Sequence, residues 1–116
     1  MGESITIILP WPPRALWPNS RVQHRYSGDK RKAFKNAGFY AAKKAKADPA
    51  EHMAITFCPP DRRRRDLDNM LAAIKYGLDG IAAAVGQDDS EWSLSLDRGE
   101  PIKGGAVLIE MRGIPE

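Results

Sequence analysis

The sequence predicts an α/β fold. It reads as one small domain over residues 1–116, with a mixed sheet of about four strands and two main helices in the order β-α-β-α-β-β. Three observations predict it. Apolar and polar residues alternate in short runs at 52–58 and 92–96. Leu67, Leu71, Ile74, Leu78 and Ile81 recur at steps of three and four, an apolar stripe on one helix face. Proline and glycine clusters separate these periods. A chain of 116 residues suits a single domain with a modest core.

The elements follow in order. Residues 4–9, SITIIL, are rich in β-branched side chains and read as a strand. PWPPRALWPNS then carries four prolines, which exclude a regular helix or central strand, so a long ordered loop is expected. Residues 29–47 read as a helix with Asp29 as N-cap and a strongly basic exposed face. In HMAITFC, 52–58, Met53, Ile55 and Phe57 alternate with smaller residues, a strand that Pro59 and Pro60 end. The Leu67–Ile81 stripe is the second helix. Gly86 closes that region, and for residues 88–89 to come back towards Asp68 the helix would have to end early at Gly77 and Gly80, in YGLDG, with 80–89 returning along it as a loop. Trp92, Leu94 and Leu96 alternate with serines in a half-buried strand, and AVLIEM, 106–111, forms the last one after the turn DRGEPIKGG.

Composition narrows the function classes. Hydrophobic residues make up 42% and charged residues 28%, ordinary values for a globular protein. No apolar run approaches the length of a membrane span. The first residues lack a signal-peptide pattern, and Cys58 is the single cysteine, so neither a disulfide nor a four-thiolate zinc site can form within the chain. A cytoplasmic location is expected. The net charge is +3, but residues 1–50 carry ten lysines and arginines against three acids, while the remainder is net acidic. A basic half beside an acidic half suits a polyanionic partner, although ordinary surface charge gives the same count.

The stretch RRRRDLDN, 62–69, concentrates both signs. Residues two apart face the same way in extended backbone and opposite ways in a helix. With the helical stripe starting at Leu67, Asp66 is expected in extended backbone and Asp68 at the cap or first turn, a geometry that can bring two carboxylates to one point. A plain N-cap role explains one aspartate equally well. A second acidic pair, Asp88-Asp89, follows Gly86 and reads either as a simple turn or as part of the same site. Converging carboxylates repel unless a cation neutralises them, and all-oxygen ligands suit Mg²⁺ or Mn²⁺. Arg62, Arg63, Arg64 and Arg65 fit flanking phosphates bidentately.

PDRRRRDLDN (60–69), with the acidic pair at 88–89, LPWPP at 9–13 and KGG at 103–105, resembles the RusA family of phage and prophage Holliday-junction resolvases across nearly the whole chain. The resemblance implies a homodimeric, Mg²⁺-dependent endonuclease that nicks four-way DNA junctions symmetrically during recombination and repair, in the cytoplasm of a bacterial host. It places the catalytic and metal-binding aspartates on Asp66, Asp68 and Asp89, with Asp88 as a further candidate ligand. The arginine ahead of the motif falls on Arg65. DNA contacts are expected from Arg62–Arg65, Lys75, Arg21, Arg25, Lys30, Arg31 and Lys32. Two departures stand out. Where the family carries a lysine one turn after the second aspartate, this chain has Ala72, with Lys75 three residues later. The loop before Asp88 and the proline loop also look extended. The latter gathers Asn19, Arg21, His24 and Arg25, read first as a DNA-contacting loop, with His24 either a general acid–base or simply solvated. Trp11 and Trp17 either stack on bases or pack the proline loop, whereas Trp92 is expected in the core. Three readings follow: a junction-resolving nuclease, a DNA-binding protein without catalysis (favoured by Ala72), and a metal nuclease for other branched nucleic acids.

Overall fold

The computed structural model describes residues 3–18 and 28–114. In chain order they form β1 (Glu3–Pro10), α1 (Gly28–Lys44), β2 (His52–Cys58), α2 (Leu67–Ala73), α3 (Lys75–Val85), β3 (Ser93–Arg98) and β4 (Ala106–Ile114). The expected mixed α/β architecture is present. The four strands make one sheet in the order β1-β4-β2-β3. β4 runs antiparallel to β1 and to β2, while β2 and β3 are parallel. A parallel pair requires a crossover, and α2 and α3 supply it.

Strict alternation decides which sheet face is covered. Ile7 and Leu9, Met53, Ile55 and Phe57, and Val107, Ile109 and Met111 are all buried on one face. Phe34 and Ala42 of α1, Met70 and Ile74 of the crossover, and Leu78 and Ile81 of α3 close the core over them. The opposite face carries Thr6, Ile8, His52, Thr56, Ser93, Ser95, Glu110 and Arg112, exposed or half-exposed. Trp92 joins the core, but the alternation expected after it is not met: Leu94 is 41% exposed, Ser95 and Leu96 are both half-buried, and β3 starts one residue after Trp92.

The second helix departs from expectation. It does not end at Gly77 or Gly80. It breaks at Ile74 (φ −99°, ψ 5°), whose N–H closes on Leu71, and resumes as α3 with both glycines inside it. The chain therefore has three α-helices among the described residues where two were expected. The physical reason lies in α1. A Cβ at Gly80 would fall on the carbonyl oxygen of Lys35, and one at Gly38 on the carbonyl of Gly77. The glycines let two helix backbones touch, and that contact outweighs their low helix propensity. Termination falls to Gly86 (φ 69°), as the sequence reading has it: its N–H bonds Ala83 and that of Gln87 bonds Ala82, a Schellman closure.

Within the proline-rich stretch, Arg14–Leu16 form a single 3₁₀ turn. Trp11 and Trp17 meet there with ring centroids 5.7 Å apart, and the Trp17 Nε1–H donates to the Pro12 carbonyl at 3.2 Å. Both rings pack against the core, which answers to the loop-packing reading of these residues. Cys58, at the end of β2, is buried, and a Cβ at Gly99 would lie 2.8 Å from its sulfur. No described helix is long and apolar enough to cross a membrane.

Candidate nucleic-acid interface

Pro59 and Pro60 stop β2 at its carboxyl end, and the arginine-rich loop starts there. Asp61 organises it. Its Oδ1 accepts the Arg63 backbone N–H at 2.9 Å and pairs with Arg65 Nη1 at 3.0 Å. The hydrogen bond from Arg65, reinforced by the Arg63 N–H, holds the Asp61 carboxyl below the usual carboxylate range. Arg65 Nη1 also donates to the Arg63 carbonyl at 2.9 Å, and its guanidinium lies 5.4 Å from the Trp11 ring centroid. With a side chain only 15% exposed, Arg65 is committed to holding the loop. From across the cleft, Arg98 Nη2 donates to the Arg65 carbonyl at 2.9 Å. Arg62 approaches Glu100 at 3.5 Å, both side chains more than four-fifths exposed, so that pair is weak and screened. Arg63 and Arg64 are exposed, and their guanidinium groups make no ion pair or hydrogen bond with a described residue.

Between this loop and the 98–101 segment lies an open cleft of about 600 Å³. Five arginines and two carboxylates rim it, while Phe57, Met70, Pro59 and Pro101 form its apolar lining. It sits at the carboxyl ends of the parallel strands β2 and β3, where crossover folds commonly bind ligands.

Asp66 and Asp68 follow directly. Asp66 has extended backbone (φ −83°, ψ 140°) in the N-cap position of α2, yet its side chain makes no capping bond, and Asp68 lies in the first turn. Both are exposed, and neither carboxylate is engaged by a described residue. The backbone expectation for the pair is met, and the plain cap explanation is not.

The second acidic pair is built differently. Gln87 clamps the end of α3 to the start of β2. Its Oε1 accepts from Ala50 N at 3.0 Å and Trp92 Nε1 at 2.7 Å, and its Nε2 donates to Ala50 O at 2.6 Å. This fixes the 3₁₀ turn Asp89–Glu91. Asp88 is the turn's cap: it accepts from Ser90 N at 2.9 Å, and its own N–H donates to Glu91 at 3.1 Å. The Ser90 N–H, by stabilising the carboxylate, lowers the Asp88 pKa. Asp89 lies against Asp79 of α3. Burial pushes the Asp79 carboxyl up, and the Asp89 carboxylate and its hydrogen bond push it further, against the pull of Lys75 and Lys35. Among the described residues, no three His, Cys, Asp or Glu side chains are placed together so as to hold a metal ion. Asp89 adds its charge beside Asp79 within this chain, and among the described residues Asp66, Asp68 and Asp89 are not grouped around one point.

The remaining expected contacts are dispersed. Lys75 and Ala72 are exposed on α3 and α2. Lys30 and Lys32 project from α1, while Arg31 is half-buried with its guanidinium 5.9 Å from the Tyr76 ring centroid. Arg21 and Arg25, with Asn19 and His24, lie outside the described residues. Arg98, Asp61, Asp79 and Gln87 were not anticipated. Asp61 and Arg98 each border a proline- or glycine-rich turn, a signal that the sequence does carry. Asp79 and Gln87 act through contacts across the fold, and nothing local marks them.

The geometry defines a small α/β protein with a cationic cleft at its strand ends and two unengaged aspartates beside it. No protein-family model matches the chain. It is 38% identical over 122 residues to a protein of Xylella fastidiosa (strain Temecula1 / ATCC 700964) named only as uncharacterized, covering 96% of this chain and 78% of that one. The chain belongs to that protein's family.

Proposed function

We propose that this protein is a metal-dependent endonuclease for branched DNA, acting as a homodimer on four-way junctions. The observation that carries the reading is the succession, over residues 62–68, of four arginines that rim a cleft and two acceptor-only carboxylates that no described residue engages. Mg²⁺ is commonly held by one or two carboxylates together with substrate phosphate. Asp66 and Asp68 fit such an ion (Mg²⁺ or Mn²⁺) chemically without Asp89. Bound there, the ion supplies an activated water and neutralises charge at the phosphodiester. The chain's own part is positioning. Arg63 and Arg64 bind phosphate, Arg65 and Arg98 keep the loop in shape, and the lysines of α1 extend the cationic surface.

A second reading, junction binding without cleavage, is favoured by Ala72 and by the engagement of Asp89 with Asp79. A Mg²⁺ titration comparing a four-way junction with linear duplex of the same sequence separates the two. The nuclease reading expects paired nicks in the junction alone, lost in Asp68→Asn while binding persists. Junction binding without nicking, in Mg²⁺ or Mn²⁺, transfers the assignment to the second reading. Absence of junction binding sinks both.

A further inference from the structure

We infer that the outer face of α1 is a second nucleic-acid contact, separate from the arginine cleft, which takes the phosphate backbone of a duplex arm whether or not the duplex is branched. The inference rests on the nucleic-acid reading above and names the part of the substrate that this face holds. Lys32, Asn36, Tyr40 and Lys44 follow at steps of four, so they share one side of the helix, and Lys43 lies beside Tyr40 at a step of three. All five are exposed. From Lys32 to Lys44 the row runs about 18 Å, or about five base-pair steps of DNA. The helix carries six cations and a single acid, Asp29, in its first turn. Among the described residues no carboxylate pairs with Lys32, Lys43 or Lys44. Helix stability does not account for this charge. The helix dipole favours Lys43 and Lys44 in the last turn, but Lys30 stands in the first turn, where the same dipole opposes it. Tyr40 is 67% exposed, with its ring edge-on to Phe39 at 5.4 Å, and Lys43 Nζ lies 5.5 Å from the Phe39 centroid. The Tyr40 phenol adds a neutral O–H donor to the row of ammonium groups, a mixture that phosphate oxygens accept. An anionic lipid surface fits less well, because helices that lie on membranes sink an apolar side into the bilayer. The apolar side of α1, with Phe34, Gly38 and Ala42, is already buried in the fold. Contacts to phosphate alone add affinity without adding preference for a branch, so selectivity has to come from elsewhere in the molecule.

The test uses the full chain in EDTA, where no cleavage can interfere. A labelled four-way junction and linear duplex of the same sequence are titrated at salt from about 50 to 200 mM. Lys32→Ala combined with Lys43→Ala and Lys44→Ala should lower the slope of log affinity against log salt by about three units for both DNAs. The junction-to-duplex affinity ratio and the melting temperature should match the wild type. Lys32→Ala alone should lower the slope by about one unit, which keeps the test valid if the triple variant unfolds. Tyr40→Phe should weaken both DNAs by about threefold to tenfold with the slope unchanged, because the lost donor is neutral. An unchanged slope in the lysine variants would overturn the inference, and so would a loss confined to the junction. Lysine variants that bind DNA like the wild type but no longer bind phosphatidylserine vesicles would assign the face to a membrane instead. None of these failures touches junction nicking in the Mg²⁺ titration, which tests the nuclease reading separately.

Discussion

Arg65 and its neighbours divide one run of four identical residues into two jobs. Arg65 is shielded, and a single nitrogen, Nη1, bridges the Asp61 carboxylate and the Arg63 carbonyl while the guanidinium lies near the Trp11 ring. Arg65→Ala, which removes all of these contacts, should therefore lower stability by about 1–2 kcal/mol, read from urea unfolding. Arg63→Ala and Arg64→Ala should leave unfolding unchanged within about 0.5 kcal/mol, yet each should reduce the salt dependence of DNA binding by about one unit of slope. Asp79 yields a pH prediction. Its pKa is raised in the folded state by burial and by Asp89, so the folded chain binds that proton more tightly than the unfolded one. Folding is then favoured at acid pH, and stability falls as pH climbs above the ordinary aspartate value of 3.8 through the raised one. Asp79→Asn should raise the melting temperature at pH 7 and lose that gain below pH 4; a gain independent of pH would contradict this account. The sequence exposes the arginines and aspartates 66 and 68 because they sit in one short run. It does not show that Arg65 faces Trp11, or that Asp89 meets Asp79, since those pairs form only when distant segments fold together.

Among the elements, the strands were legible and the helix break was not. Period-two alternation marks β2 almost to the residue, because one face of the sheet must be buried and the other is wet. The glycines of YGLDG read locally as a stop. In the structure they are a contact surface, because Gly38, Lys35 and Gly77 bring α1 against α3 backbone to backbone. A helix-breaking propensity of about 1 kcal/mol per glycine is small beside the packing of two helices. Gly80→Ala would ordinarily favour a helix. Here it should destabilise by about 3 kcal/mol, since the new methyl meets a carbonyl that cannot move without separating the helices. Thermal unfolding of the variant measures this directly. The chain reversal at Gly86 also explains the fate of the second acidic pair. The turn that carries Asp89 comes back along α3 and finds Asp79 there.

For the whole molecule, the sheet is a one-sided platform. Helices cover the face that holds Met53, Ile55, Ile109 and Met111, while the other face is solvated, and the cationic loop projects from the strand ends. Charge asymmetry was readable from composition, and its location follows from topology: α1 carries the lysines of the first half, and β2 delivers the arginine loop to the same strand ends as Arg98. What composition could not give was the cleft, because its far wall comes from residues 98–101, more than thirty positions after the loop.

Cys58 gives that wall a built-in clock. The sulfur is sealed beneath Gly99, and Gly99 is anchored by its N–H to the Phe57 carbonyl at 2.8 Å. An alkylating reagent can reach it only when the segment beside it lifts, so the labelling rate counts those openings. The labelling rate should rise steadily with urea as the segment opens more often.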